Sequence, residues 1–355
     1  MSALRVLYWV FNYMPQWEAV SKEIASVRTG LAGEIDDYLV SFNDKERSFN
    51  LRGREKRIPL PYGLSLFPLL RSYASRFDVN HLFASAGERL LTPILSRGNS
   101  VLTIAKDTAT LRGYERNRKS LKRLTAVVVE GERDRELLRQ IGVKEERIWV
   151  IRPGIPVARY REAQGPFTIV FASSPLNAGD FLSRGIYLIT AVAALLPDVR
   201  FLLIWRKHHL AKLEDIVAKA GLTNLIIQNG VIDDMNTVYD GVHAAILPGL
   251  EHRSFIPCPR SGLEALAHGK PLLVSELVAI APSVARAGAG LAFEPTIAGL
   301  KSAIMQLQAD YPTYQANTQR YIQENFSPST HLELHRRLYQ SLGSMANRAS
   351  LPASR

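Results

Sequence analysis

Residues 4–11 (LRVLYWVF) form an apolar run interrupted only by Arg5, and residues 18–31 then repeat their apolar positions at helical spacing. Short apolar or β-branched runs recur at 37–42, 79–83, 101–104, 126–129 and 148–151, with helical patterns at 63–73 and 133–141 between them. Runs that are apolar throughout, rather than alternating, belong to strands buried on both faces. Their alternation with helices predicts a parallel sheet covered on each side.

The pattern then restarts. Pro153, Gly154 and Pro156 punctuate the chain, and residues 161–166 (REAQGP) read as a linker. Strands are expected at 167–172, 199–205, 225–228, 244–247, 271–274 and 290–293, with helices at 183–196 and 209–220. The tail is helical in pattern over 300–308, 311–325 and 328–342, where Ser327 offers a cap and Pro328 a first helical position. The last ten residues are expected to fray. The fold class is therefore α/β, with two doubly wound domains: 1–160, 161–325, and a C-terminal helix over 326–345 packing back on the first. Ligands of such sheets bind beyond the carboxyl ends of the strands, so the two domains are expected to face each other across a cleft.

At roughly 100–200 residues per domain, 355 residues suffice for two cores. The apolar fraction of 46% excludes a disordered chain. A single cysteine, Cys258, excludes an intrachain disulfide and a cysteine-rich metal centre. No run approaches the roughly 20 apolar residues of a bilayer span, and the N-terminus lacks signal-peptide order; a cytoplasmic protein is expected. The net charge of +11 permits an anionic partner without choosing one. Residues 52–57 and 112–123 concentrate that charge, and read equally as a peripheral contact with the anionic inner membrane face, an acceptor face, or solvated surface. No nucleic-acid-binding module accompanies them.

The stretch 259–276 (PRSGLEALAHGKPLLVSE) carries the chemistry. Ser261 and Glu264 have capping-box spacing, Gly262 leaves room for a close approach, and the amides of such a helix start suit a diphosphate. Glu264 is placed to accept bonds from ribose hydroxyls. A capped surface helix feeding a buried strand explains the same residues.

This stretch resembles the signature P-x-S-x-x-E-A-x-A-x-G-K-P of retaining nucleotide-sugar glycosyltransferases of the family 4 kind, which have the GT-B fold of two Rossmann-like domains. Pro259, Ser261, Glu264, Ala265, Ala267, Gly269, Lys270 and Pro271 carry the match. Residues 150–155 (VIRPGI) are similar to the family's interdomain junction, 229–235 (NGVIDDM) to the loop after its third C-domain strand, and Asn12–Pro15 to its first loop.

The resemblance implies transfer of a sugar, with retention, from a nucleoside-diphosphate sugar (UDP- or GDP-linked) to a glycan, lipid or small-molecule acceptor. It implies no further cofactor and no metal. It assigns the donor to Arg184, Arg206, Lys207, Val231, Ser261, Gly262, Leu263 and Glu264, and a catalytic part to Arg184, Lys207 and Asp107. Two positions depart from the pattern. The first of the family's paired glutamates is Ile256, with Glu251 as a substitute in a longer loop, and the usual N-domain histidine falls on Ala105 or Lys106. The alternative is thus a catalytically altered GT-B protein that binds a sugar nucleotide or glycan without transfer. A sugar-nucleotide epimerase would need an acid/base set that the sequence does not assemble.

Overall fold

A computed structural model describes residues 3–16, 18–43, 50–59, 66–86, 99–105, 111–175, 177–206 and 208–349. The chain divides into two compact units. One comprises residues 1–154 with 328–355, the other residues 155–327.

The first unit is built on strands β1 (Leu4–Val10), β2 (Ile35–Asn43), β3 (Glu55–Pro59), β4 (Val79–Ala84), β5 (Asn99–Ile104), β6 (Ala126–Val129) and β7 (Ile148–Val150). They form a wholly parallel sheet of order β3-β2-β1-β4-β5-β6-β7. Successive residues of β1 explain its unbroken apolar run. Leu7 and Trp9 enter the core on one face, while Val6, Tyr8 and Val10 enter the core on the other. Helix α1 (Ala19–Gly30), capped by the Glu18 carboxylate on the Ser21 amide, covers the second face. Helices α2 (Phe67–Ala74), α3 (Leu111–Leu121) and α4 (Glu132–Gln140) complete the crossovers described here.

Two of these elements lie where the sequence showed only charge. Strand β3 pairs with β2 alone, so its edge position leaves Glu55 and Lys56 partly and Arg57 fully exposed and removes the apolar signal. Helix α3 buries only Tyr114 and Leu121 and exposes Arg112, Arg116, Arg118 and Lys119.

The second unit repeats the plan with β8 (Thr168–Phe171), β9 (Arg200–Trp205), β10 (Leu225–Asn229), β11 (Ala244–Leu247), β12 (Leu272–Ser275) and β13 (Gly290–Phe293). This sheet is also parallel, of order β10-β9-β8-β11-β12-β13. Winding runs outward from β8 to β10, then restarts at β11 on the other side of β8. The β8/β11 junction is therefore the topological switch point. The helix expected over 183–196 is broken into α5 (Asp180–Ser183) and α6 (Ile186–Leu195), because Gly185 takes a left-handed conformation (φ 72°). Helices α7 (Leu210–Lys219), α8 (Met235–Asp240), α9 (Arg260–Ala267), α10 (Ala281–Arg286), α11 (Ile297–Ala309) and α12 (Tyr311–Asn325) follow.

The segment that leads into the expected linker at 161–166 is fastened down. The Ala158 amide donates to the Ala267 carbonyl, and Gln319 Nε2 donates to the Ala158 carbonyl. Lys270, fully buried, donates from Nζ to the Arg161 carbonyl (2.6 Å) and lies over the Tyr160 ring. Gly269 (φ 77°) has no room for a Cβ, which would stand 2.5 Å from Tyr160. The Gly-Lys part of the signature thus holds backbone together.

The last helix, α13 (Pro328–Ala349), returns to the first unit. Leu338, Tyr339 and Leu342 join the core face that α1 also covers, and Gly30 of α1 lets Leu332 approach where a side chain would collide. Beneath it, His81 of β4 bonds Tyr339 Oη (2.8 Å) and Thr103 Oγ1 (2.7 Å), and burial drives its pKa down to about 3.

Candidate functional site

All six strands of the second sheet run the same way, and Arg184, Arg206, Val231, Ser261 and Glu264 lie on the segments that follow them. The segment after β8 presents Ser173 and Ser174. Ser174 Oγ donates to the Ile204 carbonyl (3.1 Å) and accepts from the Arg206 amide (3.0 Å), so it ties the ends of β8 and β9 together. Across the switch point, the segment after β11 begins with Pro248. Gly185 packs so tightly there that an added Cβ would strike the Pro248 carbonyl oxygen. The Ser183 carbonyl accepts from the Leu250 amide (2.8 Å) and from Ser254 Oγ (2.6 Å), anchoring residues 250–254.

Arg184 sits in the middle of this arrangement, half-buried. Its Nη1 donates to Ser173 Oγ (2.6 Å) and to the Ser173 carbonyl (3.1 Å), and the guanidinium lies 5.5 Å from the Phe255 ring centre. Among the described residues no carboxylate lies within 4.0 Å of it. Burial lowers its pKa, with Asp180 opposing the shift from a distance. A desolvated cation served only by neutral oxygens is an electrostatic deficit that an anionic ligand would relieve. The Arg206 side chain is exposed, though its charge reaches the Tyr239 phenol.

Helix α9 differs in one respect from the expected start. Ser261 is not the cap. Pro259 is, and Ser261 is the second helical residue. Proline supplies no side-chain acceptor, so the Gly262 and Leu263 amides turn back to the Pro259 carbonyl, both at 3.1 Å. The Ser261 amide has no acceptor within the helix, as every helix start requires. Gly262 does not open space toward a ligand, because its missing side chain points at the sheet. A Cβ there would stand 2.8 Å from Leu247 Cδ1 and 3.2 Å from Leu272 Cδ2. Leu263 is wholly in the core. Of the four predicted residues on this helix, Ser261 and Glu264 remain to face outward.

Glu264 is held in place by α8. The buried Tyr239 hydroxyl shares its proton between the Ser261 carbonyl (3.1 Å) and Glu264 Oε2 (3.3 Å). Burial, reinforced by the Glu264 carboxylate, holds that phenol well above its ordinary pKa, so it remains a donor. His268 bonds the Glu264 carbonyl through Nδ1 (2.7 Å) and the Asn236 side-chain amide through Nε2 (2.8 Å). Sequence reading missed Tyr239, Asn236 and His268; only their common contact with α9 marks them.

Val231, beside Gly230 (φ 127°) after β10, is 50% exposed, an apolar side chain in water. Glu251, the proposed substitute for the absent glutamate, is paired with Arg253 at 2.6 Å in an exposed ion pair. Ile256 is partly buried. Lys207, Asp107 and Lys106, like Trp17 of the first loop, lie outside the described residues. His208 and His209 are exposed.

Residues 173–310 match the family model of glycosyl transferases group 1. No curated protein matches the chain significantly. Solved structures match nearly all of it at low identity. Sucrose-phosphate synthase from Thermosynechococcus elongatus is 13% identical over 96% of this chain and 100% of its own, with a TM-score of 0.76. Anabaena HepE, solved with UDP and glucose, is 13% identical over 95% and 100%, with a TM-score of 0.75. A glycosyltransferase from Rickettsia africae is 13% identical over 96% and 99%, with a TM-score of 0.74. The chain therefore carries two Rossmann-like parallel-sheet units of GT-B type, and its second unit contains the segment similar to glycosyl transferases group 1.

Proposed function

We propose that the protein is a nucleotide-sugar-dependent glycosyltransferase whose second unit binds the donor. The observation that carries this reading is that Arg184, served by Ser173 and by no described carboxylate, follows β8, while the Tyr239-braced Glu264 lies on the helix that follows β11, the two strands that flank the switch point. The match over residues 173–310 and the UDP-bound HepE of like fold support it.

In this reading Glu264 accepts from the ribose hydroxyls, and the Ser261 amide and Arg184 meet the diphosphate. Arg206 and Lys207 add charge, and Val231 lies against the base. The bond from the anomeric carbon to the phosphate oxygen breaks with its electron pair leaving on the diphosphate. Charge-assisted bonds from the guanidinium stabilise that developing charge. The acceptor hydroxyl oxygen forms the new bond and its proton passes to the departing phosphate oxygen, so the configuration is retained without a separate base. The acceptor, a glycan, lipid or small molecule, is assigned to the first unit with Asp107. The exposed cations of residues 112–123 suit an acidic acceptor or a lipid surface. We place the enzyme in the cytoplasm.

Calorimetric titration with UDP, GDP and ADP tests the donor site. Saturable binding of one of them is expected, weakened about tenfold or more by Glu264→Ala and less by Tyr239→Phe. No binding by any of the three would refute it. Binding without turnover of the matching sugar conjugates over an acceptor screen would favour the non-catalytic reading, for which Ile256 is the specific observation.

A further inference from the structure

A second cluster of reactive side chains lies in the first unit, on elements that the donor site does not use. His331 and His335 are four residues apart on α13 and project from the same face, one turn apart, with ring centres at 4.5 Å. Glu23 of α1 faces them. All three are at least nine-tenths buried, at 6%, 2% and 0% exposure for Glu23, His331 and His335. One ligand atom from each lies within 4.8 Å of the other two.

The hydrogen bonds behind the rings decide what they offer in front. His331 Nδ1 is 2.8 Å from the Arg152 carbonyl, and His335 Nδ1 is 3.1 Å from the His331 carbonyl. A carbonyl oxygen only accepts, so both Nδ1 atoms carry a proton and each ring turns its Nε2 to the front; burial keeps the His335 ring neutral, so its Nε2 is a lone pair. His335 Nε2 is buried with no hydrogen-bond donor. Two imidazoles and a carboxylate therefore converge in the interior, and the His335 Nε2 lone pair among them is buried without a donor, a cost that a cation between the three would remove. The support is also of the kind that metal-binding histidines show, the far ring N–H given to a backbone carbonyl so that tautomer and ring orientation are set.

We propose that Glu23, His331 and His335 bind a first-row divalent cation, zinc by its preference for imidazole and carboxylate donors, and that this ion staples α13 to α1. Three protein ligands leave a fourth tetrahedral position for a water. The ion stands in the first unit's own core face, on residues that the donor reading leaves unassigned. Its role is structural, joining two helices that are 308 residues apart in sequence at Glu23 and His331.

The test uses the full chain, freed of any affinity tag and stripped with a chelator, then titrated with Co²⁺ and Zn²⁺. The expected result is one equivalent of Co²⁺ per chain, with the visible absorption of a four-coordinate site, displaced by Zn²⁺. At free zinc one hundred times its dissociation constant, the unfolding equilibrium constant should fall about 100-fold. Glu23→Gln and His335→Gln should each weaken binding by more than the roughly 10–100-fold that loss of an outer-shell partner costs. Uptake below one equivalent by the wild-type chain would overturn the proposal and leave a proton as the occupant. So would wild-type affinity in both folded variants. If a variant fails to fold, X-ray absorption of the zinc-loaded wild type decides. Two imidazole ligands would support the site, and a first shell without imidazole would refute it.

Discussion

Replacing Arg184 with methionine separates a ligand-binding cation from a structural one, because the two roles predict opposite pairs of results. In the free protein Arg184→Met removes two hydrogen bonds to Ser173, at 2.6 and 3.1 Å. Bonds from a charged donor contribute about 1.5–3 kcal/mol each. Against that loss stands the cost of holding a guanidinium out of water without a carboxylate, several kcal/mol per ion when burial is complete and less for this half-buried group. Methionine keeps much of the stem and its contact with Phe255. The opposed terms leave a net change of about 1 kcal/mol or less, which for a domain of this size shifts Tm by about 4 °C at most. In the complex no such cancellation operates. Losing even one charge-assisted bond to a phosphate oxygen costs about 1.5–3 kcal/mol, or roughly 10- to 100-fold in affinity at 1.4 kcal/mol per decade. Thermal denaturation of the free chain, read beside calorimetry with the nucleoside diphosphate that the wild type binds, measures both. Unchanged affinity, or a stability loss above about 3 kcal/mol with affinity intact, would refute the role given to Arg184.

Two further predictions concern parts of the fold away from that site. Burial raises the Asp134 carboxyl from 3.8 to about 6, against the Tyr114 hydrogen bond and Arg133, which lower it. The folded chain therefore keeps a proton there between about pH 4 and 6 that the unfolded chain has lost, so this group's stabilisation is present in acid and fades as pH rises through 6. At pH 8 the buried charge costs on the order of 3 kcal/mol, and Asp134→Asn should recover about 2 after losing the helix-start benefit of a carboxylate. Urea denaturation should show that gain at pH 8 and none near pH 4; destabilisation at pH 8 would contradict it. Truncating the buried Lys270 to alanine leaves the Arg161 carbonyl without its 2.6 Å donor and costs about 2–4 kcal/mol of local stability. Tryptic cleavage after Arg159 or Arg161 should then accelerate by about 30-fold or more, and an unchanged cleavage rate would mean that Lys270 does not hold this segment.

Most strands were legible because a parallel sheet covered on both faces makes its strands apolar throughout. In β6, Ala126 and Val128 enter one core while Val127 and Val129 enter the other, which leaves no polar position to blur the signal. Strand β3 and helix α3 escaped because each turns much of its surface to water, and charge then masks the period. In the signature, residue identity marked the helix start of α9 but not what each position packs against. Ser261 and Glu264 face outward, whereas Gly262 and Leu263 serve packing against the sheet and Gly269 and Lys270 fasten residues 158–161.

Local sequence alone, through the spacing of apolar runs and the glycines and prolines between them, determined two successive α/β units and the helix to which we assign the donor. Those signals are short-range, and each is complete within a dozen residues. Tertiary structure alone decided that Tyr239 braces Glu264, that Ser173 and Phe255 enclose Arg184, and that Glu23 meets His331 and His335. The physical reason is that a side chain's burial, partners and tautomer depend on what packs against it, and those neighbours come from elements whose separation along the chain carries no local pattern.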